Sequence, residues 1–308
     1  MGEAPLAMPV LLFAVLAILF ITSTVQLSLT VPAFIISSFG AISEVIGKEG
    51  AEQELYLLFS SYSEGDLSLL INLFSSAAAL VLSIVFCRVI AHRRLDAIGL
   101  VKERAGGRYA LGIALGALLF SLSAGVCLLN GSLTWSGLSK SVNPLMLLPI
   151  LLGYIVQGAA EEFLYRGVLM TELARRGSPL KAVLLSSFIF SFAHAVNYQV
   201  NTLALVNTFL FGILASILLL RTGSLLGACA MHTAWNFVQG HIFGCNVSGT
   251  VTSTTLFATE IHPGKTLTNG GGFGPEGGAA VTVVLLLAVV CLLLIPERKR
   301  NESYHGRQ

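Results

Sequence analysis

Two adjacent carboxylates and an arginine, in the order Glu161-Glu162-Phe163-Leu164-Tyr165-Arg166, stand in the middle of an apolar run from Pro144 to Gly177. Charge at bilayer depth costs roughly 2.5–3.5 kcal/mol per residue on insertion scales, so it calls for a partner or a task. Glu162 and Arg166 are four apart on one helix face and can neutralise each other. Glu161 is then left over. Two more apolar stretches carry polar groups: His194 in Phe190-Ser191-Phe192-Ala193-His194, and His232 and Asn236, four apart in His232-Thr233-Ala234-Trp235-Asn236. A lone histidine in a helix is more often a packed residue than a catalyst, so the set carries the argument and the single residues do not. A carboxylate and a neutral imidazole both accept protons and together can hold and activate a water. Histidine and asparagine supply N–H donors for a developing oxyanion. No serine or cysteine of clear nucleophile character stands among them, so amide hydrolysis through activated water fits best. A metal alternative stays open: Glu161, His194 and His232 are plausible Zn²⁺ ligands with a fourth position for water, although no HExxH pair is present. No other cofactor is expected.

The chain that must position these residues has 308 residues, 55% hydrophobic and 11% charged, with a mean hydropathy of +0.81. A soluble domain carries about 25% charged residues, so this is an all-α, polytopic transmembrane helical bundle with a polar site inside the membrane. The small net charge of +2 gives no reason to expect nucleic acid as a partner. Eight spans are expected: about Ala7–Ser37, Leu67–Ala91, Tyr109–Leu129, Pro144–Ala174, Leu180–Val196, Thr202–Leu220, Leu225–Phe243 and Ala279–Ile295. The fourth exceeds one crossing, and Gln157-Gly158 is the expected break. Three regions follow: 1–143, the first three spans with an acidic external loop; 144–243, the four spans carrying the polar residues; and 244–308, a glycine-rich loop, the last span and a basic tail. The five cysteines form no CxxC and no Cys/His pair at metal spacing, and read as packing residues.

Loops on one side hold thirteen Lys/Arg, in 92–108, 171–181, 221–224 and 296–308, and those on the other hold three, Lys48, Lys140 and Lys265. This asymmetry puts the basic loops and both termini in the cytoplasm. Measured along ideal helices from the basic side, Glu161 is about 21 Å deep, His194 about 20 Å, His232 about 17 Å and Asn236 about 23 Å. Independent packing residues have no cause to align at one level.

Glu161-Glu162-x-x-x-Arg166, Phe190-x-x-x-His194 and His232-x-x-x-Asn236 together resemble, in order, the three motifs of the CAAX prenyl endopeptidase-like intramembrane proteases, also called the CPBP (CAAX protease and bacteriocin-processing) family. The resemblance spans about Pro144–Gly240. It implies an endopeptidase acting on a membrane-associated or lipidated peptide or protein, in processing or self-immunity. By residue it implies that Glu161 and His194 activate water, that His232 and Asn236 form the oxyanion hole, and that Glu162 and Arg166 orient the helix and tune Glu161. The family has been described both as metalloproteases and as metal-free glutamate enzymes. Two other classes compete: a non-catalytic binding or immunity protein of the same fold, and a proton-coupled transporter, which the absence of a visible inverted repeat disfavours.

Reporter fusions test the charge asymmetry. Arg94, Arg176 and the C-terminus are expected in the cytoplasm, and Glu52 and Gly272 on the opposite side; a cytoplasmic Gly272 overturns the eight-span arrangement.

Overall fold

The computed structural model describes residues 5–140 and 142–295. The basic tail, with Arg298, Lys299, Arg300 and Arg307, lies outside the described residues, as do residues 1–4. In chain order the elements are α1 (Met8–Ser37), α2 (Phe39–Val45), α3 (Ala51–Ser63), α4 (Asp66–Ile90), α5 (Ala105–Leu129), β1 (Leu133–Leu138), α6 (Pro144–Ala174), α7 (Pro179–Ala193), α8 (Thr202–Thr222), α9 (Leu225–Phe237), β2 (Phe257–Ile261) and α10 (Ala279–Leu294). Among the described residues, six helices are long and apolar enough to cross a membrane: α1, α4, α5, α6, α7 with its last turn, and α8; α10 is a shorter apolar helix. With α9, which continues as a wide turn to Ile242, these make eight apolar segments, in keeping with the expected number.

Local sequence sets the helix ends. Asn143, Ser178 and Asn201 each cap a helix by accepting from a backbone N–H, and Pro144 and Pro179 occupy first-turn positions where no N–H is needed. Gly223, at φ +62°, closes α8 in the left-handed conformation that glycine adopts without penalty. The expected break at Gln157-Gly158 is absent: α6 runs on as α-helix to Glu162 and widens into π-helix over Phe163–Met170. Pro149 is passed without interruption. The outer segments hold more structure than their polarity suggested. α2 and α3 are helical, and β1 pairs antiparallel with β2 across the glycine-rich region. Trp135 packs at a tilt against Phe257 there, 4.6 Å between ring centroids.

The bundle closes around α9, in which Gly227–Asn236 are buried without interruption. A helix buried on every side needs neighbours that come close, and small residues provide the room. On α5, a Cβ at Gly112 would stand 2.2 Å from the carbonyl oxygen of Gly227, and one at Gly116 2.2 Å from that of Met231. On α6, a Cβ at Gly158 would meet Thr233 Oγ1 at 2.9 Å. The Thr233 hydroxyl donates across to the Tyr154 carbonyl at 3.1 Å, tying α9 to α6.

Gly116→Ala and Gly112→Ala should therefore lower thermal stability in detergent. Gly125→Ala, on the same helix with nothing within 4 Å of its Cβ, should be neutral or stabilising by roughly 0.5–1 kcal/mol. Equal effects at the three positions would contradict the close α5–α9 packing.

Candidate active site

Glu162 and Arg166 are both fully buried on α6. The Arg166 guanidinium donates to Glu162 Oε1 at 3.1 Å. The same oxygen receives His232 Nδ1 of α9 at 2.9 Å. A carboxylate oxygen that already accepts from a guanidinium has no proton to give, so His232 carries its hydrogen on Nδ1. The guanidinium also lies over the Phe190 ring, 4.3 Å from its centroid. One buried network thus joins α6, α7 and α9. It includes the pair expected from the four-residue spacing, with a histidine added.

The second carboxylate points elsewhere. Glu161 Oε1 accepts from Gln157 Nε2 at 2.6 Å, one turn earlier on α6. Its Oε2 is buried without a hydrogen-bond partner among the described residues and faces His232 Nε2 at 3.7 Å. That is too long for a direct hydrogen bond and suits a shared water. Gln157 continues the chain of contacts, because its Oε1 accepts from Asn236 Nδ2 at 3.2 Å. Glu161, Glu162, Arg166, His232 and Asn236 are thereby linked.

His194 stands apart from that chain. The helix expected to contain it ends at Ala193, and His194 opens a 3₁₀ turn, His194–Val196. Its Nδ1 donates to the Phe190 carbonyl at 2.8 Å, so in the neutral ring Nε2 is the acceptor. His194, His232 and Asn236 line one pocket, whose walls also include Phe190, Phe211 and Glu276. Glu161 reaches that pocket through His232 and Gln157; the imidazole within 4.0 Å of its oxygens is that of His232. The three residues considered as Zn²⁺ ligands do not gather: among the described residues no group of three or more His, Cys, Asp or Glu side chains is disposed to hold a metal ion.

Two contributors were not anticipated. Gln157 had a signal, an amide four residues before Glu161 on the same face. Glu276 had none. It sits in the glycine-rich segment and accepts from Trp235 Nε1 at 3.1 Å and from the Ser248 backbone N–H and hydroxyl at 2.7 and 2.9 Å. Asn207 of α8 donates to the carbonyls of Glu276 and Gly278 at 2.7 and 2.9 Å, fixing this wall. Cys245, in the same segment, is buried, and burial pushes its thiol up to about 11, which leaves it neutral and a packing residue.

Fold and site define a polytopic helical membrane protein whose costly polar side chains gather in one buried constellation. Residues 143–238, which hold α6 to α9 with Gln157, Glu161, Glu162, Arg166, His194, His232 and Asn236, match the family model described as Type II CAAX prenyl endopeptidase Rce1-like. The motif resemblance holds over this segment, and at the level of the family the match supports a CAAX-protease-type intramembrane endopeptidase. No curated protein matches the chain.

Breaking the buried pair leaves a charge without compensation. Glu162→Ala and Arg166→Ala should each cost about 3–5 kcal/mol, read as loss of thermal stability or of folded yield in detergent. Exchanging the two residues should restore part of it. Wild-type stability in Arg166→Ala would show that the pair carries no structural weight.

Proposed function

We propose that the protein hydrolyses a peptide bond of a membrane-associated or lipidated substrate, using a water activated at Glu161. One observation carries the reading: the unpartnered, buried Oε2 of Glu161 opposite His232 Nε2, 3.7 Å away, with Gln157 occupying the other oxygen. A water held between the two gives a proton to the carboxylate as its oxygen adds to the substrate carbonyl carbon. Cleavage of the C–N bond then passes that proton to the leaving amine. The negative oxygen of the tetrahedral intermediate would develop against Asn236, which keeps one amide hydrogen free of Gln157 and lines the pocket. The resemblance pairs Glu161 with His194 for water activation; the geometry favours His232 as the nearer partner and leaves His194 facing the substrate. Glu162 and Arg166 hold His232 and act through it.

Purified protein with a library of membrane-anchored peptides tests this. Glu161→Gln keeps the shape and removes the base, and should abolish cleavage while binding persists. Asn236→Ala should retain activity lowered about 100–1,000-fold, as for loss of one oxyanion donor. Inhibitors directed at serine or cysteine should have no effect. Full activity in Glu161→Gln would falsify the mechanism. Loss with a strong chelator, restored by Zn²⁺, would transfer the site to metal chemistry. Binding without cleavage by the wild type would favour the immunity-type reading.

A further inference from the structure

The pocket is not midway along the bundle. His194 follows Pro179, the start of α7, by 15 residues, about 22 Å of helix in a hydrocarbon core of about 30 Å. What surrounds each end of that distance differs in charge. At the α7 start, Arg93 and Arg175 share the buried Glu172 at 3.1 and 3.2 Å, and Arg176 bonds the Leu6 carbonyl at the foot of α1. Arg221 bonds the Leu293 carbonyl at 3.0 Å, and the Leu225 N–H bonds the Gly99 carbonyl at 2.8 Å. The 93–108 segment, the ends of α6, α8 and α10 and the start of α9 thus meet at one end, with nine Lys/Arg in the segments 92–108, 171–181 and 221–224.

The pocket belongs to the opposite end. Its wall residues Ser248 and Glu276 come from the 244–278 segment. Asn197, just past His194, donates to the Ser248 carbonyl at 3.0 Å. The hydroxyls of Ser253 and Thr254 each reach Asp66, at the head of α4, at 2.6 Å. This end holds Lys48, Lys140 and Lys265 against Glu44, Glu49, Glu52, Glu54, Glu64, Asp66, Glu260 and Glu276. Aromatic and apolar side chains stand exposed at its rim, Tyr198 at 70% and Val196 at 90%, as residues at a membrane–water boundary do.

We infer that the pocket opens on the non-cytoplasmic side, and that the peptide cleaved is one presented there: a segment of an exported or membrane-inserted protein near the outer leaflet, and not a cytosolic tail. The substrate half of this inference rests on the endopeptidase reading; the side of opening rests on charge and geometry alone. The lysines and arginines that set orientation lie at the far end of the helices from His194, Ser248 and Glu276.

The test uses right-side-out and inverted vesicles from cells making the full chain, with a membrane-impermeant sulfonated maleimide. Ser248→Cys and Thr208→Cys report the pocket, Tyr198→Cys its rim, and Lys102→Cys the basic end. The wild type, with four buried cysteines and Cys291 exposed on α10, sets the background. Pocket and rim cysteines should label in right-side-out vesicles, and Lys102→Cys only in inverted ones. Labelling of Tyr198→Cys and Thr208→Cys from the same side as Lys102→Cys overturns the inference, even if Ser248→Cys fails to fold. A second arm displays the anchored peptide library on either face of the same vesicles, with cleavage expected only on the Tyr198→Cys side. Cleavage confined to the Lys102→Cys side overturns the substrate assignment and leaves the endopeptidase reading standing. No cleavage on either side, with labelling as expected, overturns the endopeptidase reading and leaves the direction of opening intact.

Discussion

A carboxylate inside an apolar bundle survives only if something answers its charge, and at Glu162 two groups do so on one oxygen. Arg166 reaches it from the same helix and His232 from α9. The desolvation of three ionisable groups is offset by short, directed contacts and by the guanidinium lying on Phe190. Position follows from this. The donation to Glu162 fixes the His232 ring, and with it the direction of Nε2 towards Glu161. Glu161 is held in turn by Gln157, which also holds Asn236. The order of dependence runs from the ion network, through the ring it orients, to the carboxylate left free to act.

The bundle is built to keep that network dry and unmoved. α9 packs Met231 and Trp235 into the core, and its backbone is met closely by Gly112, Gly116 and Gly158. Close packing of this kind removes the play that would let His232 drift from Glu162. The π-helical stretch begins directly after the carboxylate pair, and all eight of its residues, Phe163–Met170, are buried. Such widened turns leave backbone groups loosely paired and persist where packing holds them. At the other end of α6, Glu172 gathers Arg93 and Arg175, so the helix bearing the site is pinned by charge at both levels.

The spans and the Glu162–Arg166 pair were legible because each rests on local spacing: hydropathy over about twenty residues and a four-residue turn. What was not legible depends on contacts distant along the chain. Asn236 meets Gln157 across 79 residues, and Trp235 meets Glu276 across 41. No periodicity in either partner announces the other. The β1–β2 pair escaped for the same reason, joining two polar segments that flank different spans. Apolar periodicity continues past Ala193, so the sequence pattern carries the helix through His194; the structure ends it there, and the Phe190 carbonyl at the helix end takes the histidine's Nδ1–H.

The boundary of the family match divides the pocket by task. The polar wall, from Phe190 to Asn236, lies within residues 143–238. Ser248, Glu276, Val281 and Leu285 complete the pocket from beyond that segment. A family likeness can carry a reaction type only as far as the residues it covers, because chemistry belongs to the site and not to the fold around it. Nothing in the likeness therefore extends to what the remaining wall admits. That wall combines an apolar floor on α10 with a carboxylate whose two oxygens are already taken by Trp235 and Ser248. Held by these three donors, Glu276 fixes the shape of the opening. Val281 and Leu285 give this wall its apolar surface, while His194, His232 and Asn236 supply imidazole and amide groups to the part that the family match covers.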